Sequence, residues 1–299
     1  MAPRAQQNSG VLTRASVEQA DSVLDRRISS AGLSWHVSEI GQGPSIFMLH
    51  GTGASVHSWD LLSPLLAEYY RVVMIDLPGH GRTSLPPRAG LTINGMSSAI
   101  GGLLDDLQIQ PELVIGHSAG AAVLTQMCLD RRIQPRAIIS LNGAMLPLCG
   151  SSNRLFGPMA KLLSIMPMVP TLVSRRMANP DSVARLITQL GSNIPASQID
   201  GYVELLRSNK HISAALRMMA NWDLDTFEKR LSDLQVPLEL VVCENDLAVP
   251  ASQADQLAER ISVARVHRLP DLGHLGHEEA PRRVFELIRR LSKESGIDC

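Results

Sequence analysis

The feature that most restricts how this chain can fold is an alternation. Short, continuous apolar runs recur along it, and stretches with helical periodicity lie between them. Ile46-Phe47-Met48-Leu49 runs into His50-Gly51, and Arg71-Val72-Val73-Met74-Ile75 runs into Asp76. Leu113-Val114-Ile115 ends at Gly116, Ala137 to Leu141 ends at Asn142, Leu238 to Val242 ends near Glu244, and Arg265 to Leu269 ends at Pro270. Runs without polar alternation read as strands buried on both faces, which is how parallel sheets sit in α/β proteins. The intervals 96–107, 119–131, 251–261 and 278–291 carry the helical pattern. Strand and helix in alternation predict a doubly wound parallel sheet. Ser34 to Val37 reads as a further short strand, followed by a turn at Gly41-Gln42-Gly43-Pro44.

One interval breaks the rhythm. From 146 to 222 no strand-like run appears, and the helical stretches are cut by Pro158, Pro167, Pro170, Pro180 and Pro195. That is too long for a structureless loop, so it is expected to be a helical cap with its own packing. The division expected is a polar tail over 1–27, a core built from 28–145 and 223–299, and a cap over 146–222. The tail shows no secretory apolar region. Leu162 to Val173, the longest apolar run, is short for a membrane span and holds two prolines. The expected compartment is the cytoplasm.

Composition removes other classes. Basic and acidic side chains number 28 and 29, for a net charge of −1, which argues against a nucleic-acid binder. Aromatic residues are only 3% of the chain, too few for platforms that stack bases. The core must be aliphatic, with help from 12 methionines. None of the four cysteines has C-x-x-C spacing, so no zinc site is expected, and Cys128 and Cys243 read as buried apolar residues.

The chemistry concentrates at strand ends. Gly116-His117-Ser118-Ala119-Gly120 follows a strand and opens a helix. A G-x-S-x-G turn of this kind holds a serine hydroxyl exposed at a helix N-terminus, where free N–H groups favour developing negative charge. Serine attacks only when a base takes its proton, and that base is a histidine oriented by a carboxylate. Asp246 stands just past the strand 238–242, with Glu244 as the alternative acid. Asn142, at the other available strand end, cannot ionise and is excluded. His274 follows the last strand in Leu269-Pro270-Asp271-Leu272-Gly273-His274. The remaining donors are expected in His50-Gly51-Thr52-Gly53, where the amides of Thr52 and Ala119 would hold an oxyanion. Asp76 to Gly81 reads as a shaping loop. This chemistry needs no metal and no organic cofactor.

Together, strand-His50-Gly51, Asp76 to Gly81, the elbow at Ser118, Asp246 with Pro250, and Gly273-His274 resemble the α/β-hydrolase superfamily over about residues 30–293. The resemblance implies an eight-stranded, mostly parallel sheet. Haloalkane dehalogenases and soluble epoxide hydrolases share the fold but place Asp where this chain has Ser118. The stretches His50 to Ser55 with His57-Ser58-Trp59, His117 to Ala122, Met218-Met219-Ala220-Asn221-Trp222, and Leu272 to Leu275 with His277-Glu278-Glu279 resemble one subfamily. It is the α/β hydrolase encoded among bacteriochlorophyll-synthesis genes as a magnesium-chelatase accessory protein. That resemblance implies a place in tetrapyrrole synthesis and an association with chelatase subunits, with a location at the periphery of the photosynthetic membrane. Residues expected to touch substrate are His50, Gly51, Gly53, His117, Met218 and Trp222.

The insertion has its own character. Residues 150–222 hold eight basic and three acidic side chains, a balance of +5, and six methionines. A pliable, basic lid suits a bulky apolar ligand with carboxylates, such as a porphyrin or its ester. Other readings of the same residues are a helical cap with Met as filler and Arg on a solvated face, or peripheral attachment to an anionic membrane through 156–173. The leading function is a serine hydrolase of an ester or related acyl bond. The alternatives are a non-catalytic tetrapyrrole-binding or chelatase-assisting protein, and a carbon–carbon bond hydrolase.

Overall fold

The computed structural model describes residues 23–147, 166, 168–177 and 179–297. Arg154, Phe156, Met159 and Lys161 of the cap reading lie outside them, as do Cys149 and Cys299. Eight strands form one sheet: β1 (Leu24–Ser30), β2 (Leu33–Ile40), β3 (Ser45–Leu49), β4 (Arg71–Ile75), β5 (Leu113–His117), β6 (Ala137–Leu141), β7 (Leu238–Cys243) and β8 (Ala264–Leu269). Their spatial order is β1-β2-β4-β3-β5-β6-β7-β8. The β1–β2 and β2–β4 pairs are antiparallel, and all others are parallel.

The helices, in chain order, are α1 (Ser63–Ala67), α2 (Ile93–Asp106), α3 (Ala119–Leu129), α4 (Met168–Met177), α5 (Pro180–Gln189), α6 (Ala196–Arg207), α7 (Asn209–Ala220), α8 (Asp225–Arg230), α9 (Ser252–Arg260), α10 (Gly276–Glu279) and α11 (Pro281–Glu294). Each apolar run that reads as a strand is one. β5, β6 and β7 are buried at every position, because helices cover both faces of the sheet. One cluster, with Trp35, Phe47, Ile75, Leu103 and Leu124, fills one side. Another, with Trp59, Tyr70, Ile115, Ile139 and Ile288, fills the other.

Strand β1 corrects the expected tail. It begins at Leu24, inside the stretch read as tail, and pairs with β2 along its whole length. Its sequence, Leu-Asp-Arg-Arg-Ile-Ser-Ser, stays exposed or half-buried up to Ser29. As an edge strand it carries charge where an inner strand carries Val or Ile, so it gives no apolar run to read.

Helices α4 to α7 form the cap, with no strand among its described residues. The cap has a small core of its own, in which Val183, Ile187, Ile194, Tyr202 and Val203 meet Ala54 and Leu275 from the body. Chain order reverses at β3, whose neighbours are β4 on one side and β5 on the other. In open α/β sheets the crevice at such a switch point, beyond the carboxyl ends of the strands, takes the ligand. The loops after β3 and β5 open there. They are His50 to Gly53 and the Ser118 turn.

Candidate active site

Ser118 sits between β5 and α3 with φ 50° and ψ −118°. A residue with a Cβ holds that conformation only under constraint. The constraint is visible: Ser118 N–H donates to Leu141 C=O at 3.0 Å, and its own carbonyl accepts from Ala121 and Ala144. The flanking glycines behave as the motif requires. A Cβ on Gly120 would stand 2.3 Å from Leu49 C=O, so only glycine lets α3 approach β3 this closely. Ala119, as the first residue of α3, has an N–H with no carbonyl one turn back to take it.

Asp246 and His274 meet as the sequence expects. His274 Nδ1–H donates to Asp246 Oδ2 at 2.8 Å. The other carboxylate oxygen accepts from the N–H groups of Ala248 and Val249 at 2.7 and 2.8 Å, which fixes the acid's orientation. Both side chains are largely buried, at 1% and 9% exposure. The bond at Nδ1 leaves Nε2 as the nitrogen that can take a proton. Glu244, the alternative acid, is exposed. Asn142, excluded as an acid, has another role. Its Nδ2 donates to the carbonyls of Gly273 and His274, while its Oδ1 accepts from Cys243 N–H. One side chain thus ties the end of β6 to β7 and to the histidine loop.

The loop after β3 lies against the elbow. A Cβ on Gly51 would come within 3.0 Å of Ser118 Cβ and 2.9 Å of His117 Nδ1. Thr52 Oγ1 reaches Met218 Sδ of α7 at 3.5 Å. Within the described residues neither Thr52 nor Ala119 has an amide partner among the loop and cap hydrogen bonds. His50 is not the substrate contact expected of it. It is fully buried, its Nε2 accepts from Leu77 N–H at 2.9 Å, and its Nδ1–H then donates to Gly51 C=O at 2.8 Å. Burial holds this ring below the ordinary histidine value, so it stays neutral and clamps two loops together.

His117 is likewise turned inward, at 2% exposure, with Nε2–H donating to His274 C=O at 2.9 Å. Its ring stands 4.7 Å from that of His274 and 4.6 Å from that of His277. It braces the His274 loop from behind. Trp222 packs half-buried against the main core cluster. Met218 is buried beside Thr52, and Gly53 has open space around its α-carbon, so these two remain at the crevice.

The cap's attachments to this site were not legible in the sequence. The turn after α5 sits on both the Asp246 and the His274 loop. Leu190 C=O accepts from Leu247 N–H and His274 N–H, and Ser192 Oγ accepts from Leu275 N–H at 2.8 Å. Gly191 adopts φ +83°, and a Cβ there would lie 1.9 Å from Asn245 C=O. On α7, His211 Nδ1 accepts from Gly81 N–H and its Nε2–H donates to Gly53 C=O, both at 3.0 Å. Burial lowers this histidine to about 4.

The shaping loop holds to its expected part. Asp76 accepts from His36 Nδ1, Val56 N–H and Arg82 N–H, each at 2.8 Å. Burial alone would raise its carboxyl, but the hydrogen bond from His36, the neighbouring His50 and those two amides hold it down to about 2. Cys128 and Cys243 are buried, with both thiols pushed up to about 12 by burial. No group of three or more His, Cys, Asp or Glu among the described residues is placed to hold a metal ion. No helix among them is long and apolar enough to cross a membrane.

A strained serine at a strand-to-helix turn, a carboxylate-bonded histidine and a sheet ordered around a switch at β3 define a class, and residues 46–287 match the model of the alpha/beta hydrolase family. The chain belongs to that family. Over 258 residues it is 35% identical to the magnesium-chelatase 30 kDa subunit of Rhodobacter capsulatus, covering 86% of this chain and 90% of that one. It is also 35% identical over 117 residues to epoxide hydrolase 2 of Siraitia grosvenorii, covering 38% and 37% of the two chains. Among solved structures, an alpha/beta hydrolase fold protein from Burkholderia ambifaria superposes with a TM-score of 0.75 at 24% identity, over 90% of this chain and 98% of that one.

Proposed function

We propose that this protein is a serine hydrolase that cleaves an ester or related acyl bond. Ser118 Oγ attacks the acyl carbon. His274 Nε2 takes the hydroxyl proton and returns it to the leaving group. Asp246 holds the imidazole in the required tautomer and stabilises it when charged. The Thr52 and Ala119 amides receive the oxyanion, the term that usually contributes most to such catalysis. The observation that carries this reading is the 2.8 Å His274–Asp246 bond, with the acid locked by two amides, in the loops beyond a G-x-S-x-G elbow. Serine at the elbow also argues against epoxide opening, which uses an aspartate there.

The substrate we propose is a tetrapyrrole ester, with the protein working beside magnesium chelatase, either free in the cytoplasm or at the periphery of the photosynthetic membrane. The similarity to a magnesium-chelatase subunit supports that setting. So does the positive balance of residues 150–222, which suits propionate side chains. The test is hydrolysis of a panel of porphyrin and bacteriochlorin methyl and phytyl esters, with Ser118→Ala as control. Release of acid or alcohol by wild type and not by the variant is expected. Identical behaviour of the two across the panel counts against the reading. A second reading has its own support, because the relative is named as a chelatase subunit and not as a hydrolase. On that reading the fold binds or delivers a tetrapyrrole, and magnesium protoporphyrin would shift its absorbance equally with wild type and Ser118→Ala. Cleavage of a carbon–carbon bond would use the same three side chains and would appear as turnover of a diketone instead of an ester.

A further inference from the structure

Behind the histidine loop lies a buried polar chain that the proposed chemistry does not use. Tyr202 of α6, in the cap, donates its hydroxyl proton to Glu278 Oε1 at 2.7 Å. Ser58, in the loop that follows β3, donates to the same oxygen at 2.5 Å. Its proton so committed, Ser58 Oγ accepts from His277 Nε2–H at 2.9 Å. The His277 ring lies against that of His117, 4.6 Å away and tilted by 48°, and His117 donates to the carbonyl of His274. Glu278 is 0% exposed, Ser58 1%, His277 2% and Tyr202 8%. These side chains join three parts of the molecule that must be in register for acyl transfer: the cap, the oxyanion loop and the catalytic histidine.

We infer that Glu278 is a positioning residue, which with Tyr202 couples the seating of the cap to the placement of His274. The inference rests on the serine-hydrolase reading above. Its second argument is cost. Glu278 Oε2 is buried without a hydrogen-bond partner among the described residues. A buried carboxyl with one oxygen unpaired destabilises a fold, and an apolar residue would fill the same space more favourably. Such costly groups persist where a site needs them.

The surroundings of Glu278 also let it titrate. Burial raises its carboxyl to about 7, with Asp60 and Glu279 adding to the rise and the Ser58 and Tyr202 hydrogen bonds opposing it. The other titratable groups facing this cluster are His277, lowered to about 3, and His57, lowered to about 4, both neutral near pH 7. The ionised form of Glu278 accepts both hydroxyl bonds best, so the coupling tightens as pH rises through 7.

The experiment measures kcat, KM and pH profile on an activated aryl ester for wild type, Glu278→Gln, Glu278→Ala and Tyr202→Phe. Misplacement at a distance from the chemistry can lower rate by up to about 100-fold. Expected is a fall in kcat of about tenfold or more for Glu278→Ala and a smaller one for Tyr202→Phe, with KM nearly unchanged. Glu278→Gln, which keeps an acceptor oxygen but cannot ionise, should match wild type at low pH and lack the Glu278-dependent rise in kcat that wild type shows through pH 7. Tyr202→Phe keeps the ring packing, so it decides the matter even where Glu278→Ala does not fold. Wild-type kcat and an unaltered profile in folded Tyr202→Phe and Glu278→Gln would overturn the inference. If wild type itself neither turns over the ester nor reacts with a fluorophosphonate, it is the hydrolase reading that falls.

Discussion

At the scale of single residues, the division between chemistry and support is sharper than residue type suggests. The chain has nine histidines, and the position after the last strand was enough to single out His274. His50, His117 and His211 could not be assigned from sequence, because their partners are backbone groups brought together only by the fold. His50 pairs with Leu77 and Gly51, His117 with His274, and His211 with Gly81 and Gly53. Asn142 makes the same point, since a residue type that cannot orient a base can still brace the loop that carries it. Asp246→Asn should keep the fold and lower kcat by about 10³–10⁴, because the amide favours the wrong histidine tautomer. Steady-state kinetics with a melting curve checks this, and a loss below tenfold would count against Asp246 as the orienting acid. Asn142→Ala removes three hydrogen bonds and puts alanine at φ 47°. The expected result is a stability loss of about 1–3 kcal/mol in denaturant titration and a reduced kcat.

Among elements, the sheet was legible because inner parallel strands are written as unbroken apolar runs. β1 was not, being a charged edge. The cap was legible only as an interval without strands, and nothing in its sequence marks the turn Leu190 to Ser192 that seats it on the acid and histidine loops. That turn makes the cap part of the support for the Asp246 and His274 loops. Gly191→Ala should lower Tm and kcat together, since its Cβ would collide with Asn245 C=O and force the acid loop to move. His211→Leu leaves Gly81 N–H and Gly53 C=O without their partner. Hydrogen exchange should then rise at 81 and across α7 while the central strands stay protected. Unchanged exchange at α7 would show that the cap is held elsewhere.

For the whole molecule, the buried histidines set the response to acid. Burial lowers His50, His57, His80, His117, His211 and His277, so the folded chain refuses protons that the unfolded chain accepts below about 6.5. Glu278 and Asp60, raised to about 7 and about 6, act in the opposite sense, because there the folded state holds the extra proton. His36, raised by Asp76, adds stability that is present at low pH and lost as pH rises. The six histidines outnumber the three opposing groups. Between pH 6 and 5 unfolding should therefore take up protons on balance, so stability falls as the pH drops through that range. Denaturant titrations at pH 7, 6 and 5 measure this directly. A flat response would mean that the histidine cluster protonates without unfolding.

The central claim is that Ser118 is a working nucleophile, held strained at the elbow and served by His274. Intact-mass and peptide mass spectrometry after exposure to a fluorophosphonate probe tests it most directly. Stoichiometric labelling of Ser118 is predicted, absent in Ser118→Ala and slowed at least about 100-fold in His274→Ala. A folded wild-type chain left unlabelled, or labelled at another serine, would contradict the account.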